Sequence, residues 1–147
     1  MAREIRTEVN IRAPAERVWD VLSDFSSYPS WNPFIREISG TATPGGRLVV
    51  RLARSGKSTL KFRPRVLTAE KPRELRWLGR LGIPGLFDGE HSFTIVPAPG
   101  GGVRFVQAET FRGLLVPLLW RGLDRDTKPM FERMNTALRD RAEALVR

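Results

Sequence analysis

Cysteine is absent from this chain and histidine occurs once, at His91. The first absence removes disulfides, thiolate nucleophiles and cysteine-based metal sites together. With one histidine there is no multi-histidine metal site, and no clustering of acids suggests a carboxylate one. Neither a metal nor another cofactor is therefore expected. No apolar run approaches the roughly eighteen residues of a membrane-spanning helix, and no charged-then-apolar leader opens the chain. The expectation is a cytoplasmic protein that stays where it is made. Internal repeats, low-complexity tracts and linkers are missing too, so residues 1–147 are expected to form one domain, which at this length buries roughly 68–70% of its unfolded surface.

Acidic residues are scarce in one stretch only. Residues 47–80 hold eleven Lys and Arg against Glu70 and Glu74, while the remainder of the chain has fourteen of each sign, so the formal charge of +9 resides in about a quarter of the sequence. Such an excess can face nucleic acid, an anionic membrane, an acidic partner or simply water.

What is present divides by periodicity. Ile5, Thr7, Val9 and Ile11 alternate with polar residues, as in a half-buried strand, and Pro14 then opens a short helix whose face is Val18, Trp19, Leu22 and Phe25. The segment Tyr28-Pro29-Ser30-Trp31-Asn32-Pro33 has room for one short turn of helix. Strands are expected at about 34–42, 46–54, 57–70, 73–82, 87–97 and 102–111, broken at Pro44-Gly45-Gly46, Ser55-Gly56, Lys71-Pro72, Gly82-Ile83-Pro84-Gly85 and the Pro97–Gly102 stretch. Short connections make them antiparallel neighbours. From Leu114 to Arg147 the chain reads as helix, with Met130, Phe131, Met134, Ala137, Leu138, Ala144 and Leu145 on one face. Pro129 predicts a kink or a fresh start capped by Thr127. The fold class is α+β: a seven-stranded curved antiparallel sheet around a long C-terminal helix, with two short helices between strands 1 and 2.

Strand parity puts Leu48, Val50, Leu52, Leu60, Phe62, Val66, Leu75, Trp77, Leu81, Phe87, Phe93, Ile95, Val103, Phe105 and Phe111 on the inner face, and Arg47, Arg51, Lys61, Arg63, Arg65, Arg76 and Arg80 outside. Three polar residues share the inner parity: His91, Gln107 and Glu109. If the hairpins close around Pro84 and Pro99-Gly100, Trp77 lies opposite His91, His91 opposite Glu109 and Phe93 opposite Gln107. Burying an imidazole and a carboxylate costs several kcal/mol unless they are paired. Either His91 and Glu109 satisfy each other structurally, or they orient an apolar ligand in a cavity, or His91 acts as general acid or base with Glu109 setting its tautomer.

The order of elements, with the motifs Ala13-Pro14-Ala15-Glu16-Arg17-Val18-Trp19, Asp24-Phe25, Tyr28-Pro29-Ser30-Trp31-Asn32-Pro33, Gly89-Glu90-His91-Ser92-Phe93 and Glu109-Thr110-Phe111-Arg112-Gly113, resembles the START-related SRPBCC superfamily. Within it the sequence is similar to the bacterial polyketide cyclase/dehydrase and lipid-transport group. The resemblance implies a helix-grip fold with a hydrophobic cavity between sheet and helix, and a lipid, sterol or polyketide-like ligand. Its lining would include Trp31, Phe34, Phe62, Trp77, His91, Phe93, Phe105, Gln107, Glu109, Met130, Met134 and Leu138.

Two functions follow as expectations. The first is binding of a small hydrophobic ligand; the alternative is a cyclase or dehydratase in which His91 and Glu109 transfer protons. The basic strands, through Arg51, Lys61, Arg63, Arg65 and Arg76, suggest docking on an anionic membrane. The lack of interleaved aromatics there speaks against nucleic acid. Monomer and homodimer both remain open.

Overall fold

The computed structural model describes residues 2–54 and 57–144, with the side chain of Lys57 outside that description. Strand β1 (Arg3–Ile11) buries Ile5, Thr7 and Ile11 on alternate positions. Helix α1 (Ala15–Ser23) begins behind Pro14, whose carbonyl takes the N–H groups of Arg17 and Val18, and buries Val18, Trp19, Val21 and Leu22. It ends at Asp24, whose carboxylate accepts the hydroxyls of Ser27 and Ser26 at 2.6 and 3.0 Å. Those bonds, Ser27 foremost, hold the Asp24 carboxyl below the usual carboxylate range. A 3-10 turn at Phe25–Ser27 leads into the single turn α2 (Tyr28–Trp31). Asn32 Oδ1 then accepts the N–H groups of Phe34 and Ile35 at 2.9 and 2.8 Å, which carries the chain past Pro33 into a strand.

The strands that follow are β2 (Ile35–Gly40), β3 (Leu48–Arg54), β4 (Lys57–Phe62), β5 (Arg65–Glu70), β6 (Glu74–Arg80), β7 (Asp88–Pro97) and β8 (Val103–Arg112). They form a five-stranded sheet ordered β1-β8-β7-β6-β5 and a three-stranded one ordered β2-β3-β4. Pairing is antiparallel throughout. The strand count is eight rather than the expected seven, because the predicted strand 57–70 divides at Pro64. A proline has no N–H for a ladder. Its carbonyl instead accepts the N–H of Leu48, and an Arg47↔Arg65 bridge joins the two sheets at that corner. The expected break at Ser55-Gly56 lies outside the described residues.

Helix α3 (Val116–Ala144) runs unbroken through Pro129, so the fresh start predicted there as one of two alternatives does not occur. Pro129 and Arg125, whose carbonyl loses its helical partner to the proline, are both exposed, and water can take that carbonyl. The helix has two unlike halves. From Met130 onward Met130, Phe131, Met134, Asn135, Leu138 and Ala142 are buried, whereas in the first half Val116 alone is. Leu118 and the preceding Leu114 are 80% and 84% exposed. The expected stripe is thus confirmed at its centre, but Ala144 is exposed and Leu145 lies outside the described residues. Leu81, expected inside, is 38% exposed because β6 stops at Arg80 and Gly82, at φ +82°, turns the chain away. Among the described residues no helix is long and apolar enough to cross a membrane.

The two halves of α3 make a stability contrast. Phe131→Ala is expected to cost about 3–5 kcal/mol, since a fully buried ring leaves a cavity, while Leu118→Ala stays within about 0.5 kcal/mol. Guanidinium denaturation midpoints measure both.

Candidate functional site: a polar chain through the apolar core

The hairpin registers bring the inner polar residues into a row. Trp77 pairs with His91, His91 with Glu109 and Phe93 with Gln107, and β1 adds Thr7 opposite Gln107. Helix α3 supplies the remaining member, Asn135, one turn after Phe131 on its buried face.

These side chains form a continuous hydrogen-bonded chain. Thr7 Oγ1 donates to the Gln107 backbone carbonyl at 3.0 Å and receives Asn135 Nδ2 at 2.8 Å. Gln107 Nε2 donates to Asn135 Oδ1 at 2.7 Å and to the Phe131 carbonyl at 3.3 Å. Gln107 Oε1 lies 2.9 Å from His91 Nε2, and His91 Nδ1 lies 3.3 Å from Glu109 Oε1. The Phe131 carbonyl can only accept, so the amide end facing it is the NH2 and the oxygen faces His91. That oxygen also only accepts, so His91 Nε2 carries a hydrogen. The Nδ1 contact with the carboxyl is then attractive when one proton lies between the two groups, either on the imidazole of an ion pair or on a neutral carboxyl.

Aromatic rings enclose the imidazole. Its centroid is 4.6 Å from Phe93, 4.9 Å from Phe131, 5.4 Å from Trp77 and 6.4 Å from Phe34. Thr7, Gln107, Asn135 and His91 are all buried, but the Glu109 side chain keeps 19% of its surface. It is the end of the chain that reaches an opening.

Two facing glycines make room there. Gly79 and Gly89 are partners across β6 and β7. A Cβ at Gly89 would stand 2.3 Å from Glu109 Oε2, and one at Gly79 would stand 2.9 Å from the Phe62 ring. The carboxylate and the ring therefore lie side by side over a dent in the sheet. Trp120 sits over Phe111, at 6.3 Å, and Phe131 over His91. Leu123 and Thr127, which lie between Trp120 and Phe131 on α3, are half-buried.

The family model for polyketide cyclase / dehydrase and lipid transport matches residues 2–143. The chain belongs to this family. No curated protein matches the sequence. Among solved structures, the Zhui aromatase/cyclase from Streptomyces sp. R1128 is similar over 100% of this chain and 97% of its own, with TM-score 0.81 and 16% identity. A START superfamily protein from Mycobacterium smegmatis gives TM-score 0.77 and 23% identity over 97% and 98% of the two chains. A norcoclaurine synthase point mutant from Thalictrum flavum, in complex with a transition state analogue, gives TM-score 0.77 and 12% identity over 100% and 98%. At these identities the likeness establishes the helix-grip fold.

Much of the interior is tightly covered. Trp77, Phe93, Phe105, Gln107, Met134 and Leu138, expected as cavity lining, have essentially no accessible surface, so no water-sized void adjoins them. Phe93 lies between Trp77 and Phe105, at 5.3 and 6.0 Å between ring centroids. Phe34, His91 and Met130 are nearly as covered. Of the predicted set, Trp31, Phe62 and Glu109 retain partial exposure. Thr7 and Asn135 were not foreseen, although both sit at apolar-face positions, Thr7 by strand parity and Asn135 by its spacing from Phe131 and Leu138. Among the described residues no group of three or more His, Asp and Glu is gathered to hold a metal ion.

The chain's cooperativity is measurable. Asn135→Leu leaves Thr7 without its incoming donor and Gln107 with its weaker acceptor only, at an expected cost of roughly 1–3 kcal/mol. Gln107→Leu costs a similar amount. In a double-mutant cycle by urea denaturation, the combined variant is expected to lose clearly less than the sum; strict additivity would show that the two side chains do not act together.

Proposed function

We propose that residues 1–147 form a cytoplasmic ligand-binding domain for a small hydrophobic molecule of the lipid, sterol or polyketide class, oriented by Glu109. The observation that carries this reading is the outlet of the polar chain. A run of buried hydrogen bonds in an apolar core ends on a carboxyl group that is partly open, and that lies beside an aromatic ring in a dent made by two glycines. Few polar groups on apolar walls are how small-molecule sites select and orient their ligands. His91, Gln107, Asn135 and Thr7 then hold Glu109 in place and do not touch the ligand. Entry is over Phe62, beneath the first half of α3, where Leu123 and Thr127 are less tightly covered than the residues that follow. A ligand longer than the dent displaces that half of the helix and reaches Trp77 and Met134. The family description includes lipid transport, which agrees with this reading.

Proton transfer is the second reading, and the 3.3 Å contact between His91 Nδ1 and Glu109 Oε1 supports it. In that case Glu109 exchanges a proton with the substrate and His91 restores its charge state. The Zhui aromatase/cyclase and norcoclaurine synthase are enzymes by name and share the fold.

Native mass spectrometry of the purified protein, with organic extraction of anything released, tests the binding reading. A co-purifying apolar molecule is expected, and Glu109→Gln is expected to reduce its occupancy at least tenfold while leaving the melting temperature nearly unchanged. A clean apo mass that also fails to shift with lipid, sterol and polyketide mixtures would sink it. If a substrate is found, turnover lost in Glu109→Gln with binding retained selects the enzyme reading over simple carriage.

A further inference from the structure

On the side of β2–β4 away from the core, a groove of about 350 Å³ runs between Phe25 and Pro29 of the connector, Ile38 of β2, Val49 and Arg51 of β3, and Lys61 of β4. A second hollow, of about 410 Å³, continues past Val49 to Arg47 and Arg63. Arg51 and Lys61 face each other directly across the β3–β4 ladder, an arrangement in which like charges repel. Arg51 Nε is buried and makes no hydrogen bond; the nearest acid, Glu37, also on the groove wall, is 3.6 Å away at Oε2. Arg51 Nη1 reaches Thr59 Oγ1 at 3.2 Å and Arg47 Nη1 reaches the Arg63 carbonyl at 3.2 Å. Neither acceptor carries a full charge. Among the described residues lining the two hollows, one carboxylate therefore faces four cations.

Strand β6 matches its outward cations with acids. Arg76 is held by Glu90 at 2.6 Å and Glu74 at 3.2 Å, and Arg80 is 3.6 Å from Asp88. Arg76 is thereby removed from the basic surface that the sequence suggested, while Arg47, Lys61 and Arg63 stay on the walls of the two hollows.

We infer that this groove is a binding site for an organic phosphate bearing a small apolar group. The phosphate lies between Arg51 and Lys61, where a guanidinium fork and an ammonium can share its oxygens. The apolar part rests on Pro29 and Val49, with Phe25 behind them. A dianionic phosphate monoester suits the excess better than a carboxylate, because across the two adjoining hollows Arg47, Arg51, Lys61 and Arg63 stand against Glu37 alone among the described lining residues. The shape favours a small molecule over a flat membrane. Phe25 and Ile38 are recessed, at 8% and 7% exposure, and cannot insert into a bilayer. This site is separate from the Glu109 opening and stands whatever the interior binds.

A titration with octyl phosphate, kept below its micelle-forming concentration and followed by amide NMR shifts, tests the assignment. Saturable shifts are expected at Ile38, Val49, Arg51 and Lys61. The double variant Arg51→Gln/Lys61→Gln, on the outer face where it leaves the melting temperature unchanged, is expected to bind at least tenfold more weakly, and inorganic phosphate and octanol should each be at least tenfold weaker on the wild type. Vesicles containing phosphatidic acid separate two sources of the same chemistry. Competition with octyl phosphate supports the site with a lipid headgroup as the natural donor; undisturbed octyl phosphate binding supports it with a free organic phosphate. The assignment is overturned if the double variant binds as tightly as the wild type, if inorganic phosphate matches octyl phosphate, or if vesicles bind through Arg51 and Lys61 while octyl phosphate does not bind at all.

Discussion

A buried imidazole, two carboxamides and a hydroxyl in an apolar core are tolerable only if each finds a partner, and that requirement ties the architecture together. Thr7 comes from β1, His91 from β7, Gln107 and Glu109 from β8, and Asn135 from α3. A one-residue slip in any of the three strands would turn a member of the chain to the outer face and leave the others unsatisfied. The helix is constrained in the same way, because a rotation that removed Asn135 from Gln107 would also take Phe131 off His91. Hydrophobic burial supplies most of the driving force for closing helix on sheet. The polar chain selects which of the many apolar packings is adopted, a use of buried polar groups for which register is the best-attested role.

The same chain gives the core a direction. At Thr7 and Asn135 it is closed off by β1 and the covered half of α3; at Glu109 it meets Phe62 and two glycines. Packing is therefore graded along the axis of α3. Opening free energies follow such gradients, with the lowest values where few apolar contacts must be broken. A site that has to admit a ligand into a fold whose interior is otherwise filled belongs at that end. Gly79 and Gly89 matter here for what they lack: with side chains, Glu109 and Phe62 would have to rise off the sheet, and the end of the polar chain would lose its seat beside His91.

Much of this was legible from alternation alone. The parity of Ile5 to Ile11, of Trp77, His91 and Phe93, and of Phe105 to Glu109 assigns each to a face, and short hairpins convert parity into cross-strand pairs, so the Trp77-His91-Glu109 row could be drawn before any coordinates. Proline defeated the reading twice, in opposite directions. Pro64 ended a strand that the apolar pattern carried through, because a ladder needs the missing N–H; Pro129 failed to end a helix, because at an exposed position the orphaned carbonyl turns to water. The state of the interior was not legible either. The number of inward rings suggested a cavity, yet ring count does not distinguish a lined void from a packed one, and Phe34, Trp77, Phe93 and Phe131 close around His91. Asn135 was missed because a helical stripe was read for apolar residues, when the inward polar residues of the sheet already implied a polar partner opposite them.

The charge pattern separates what the fold needs from what it does not. On β6 and β7 every outward cation has an acid within reach, so Arg76 and Arg80 stitch neighbouring strands and add nothing to the field outside. On β3 and β4 the arginines and Lys61 face one another instead, and the groove they share contains a single carboxylate among the described residues. Stability alone offers no reason for such an arrangement, since placing a neutral residue at Arg51 or Lys61 would relieve the repulsion without touching the core. A cost carried on the surface, away from any packing constraint, is most simply understood when something outside the chain offsets it, and an anion seated between Arg51 and Lys61 does so at the point where the repulsion is concentrated.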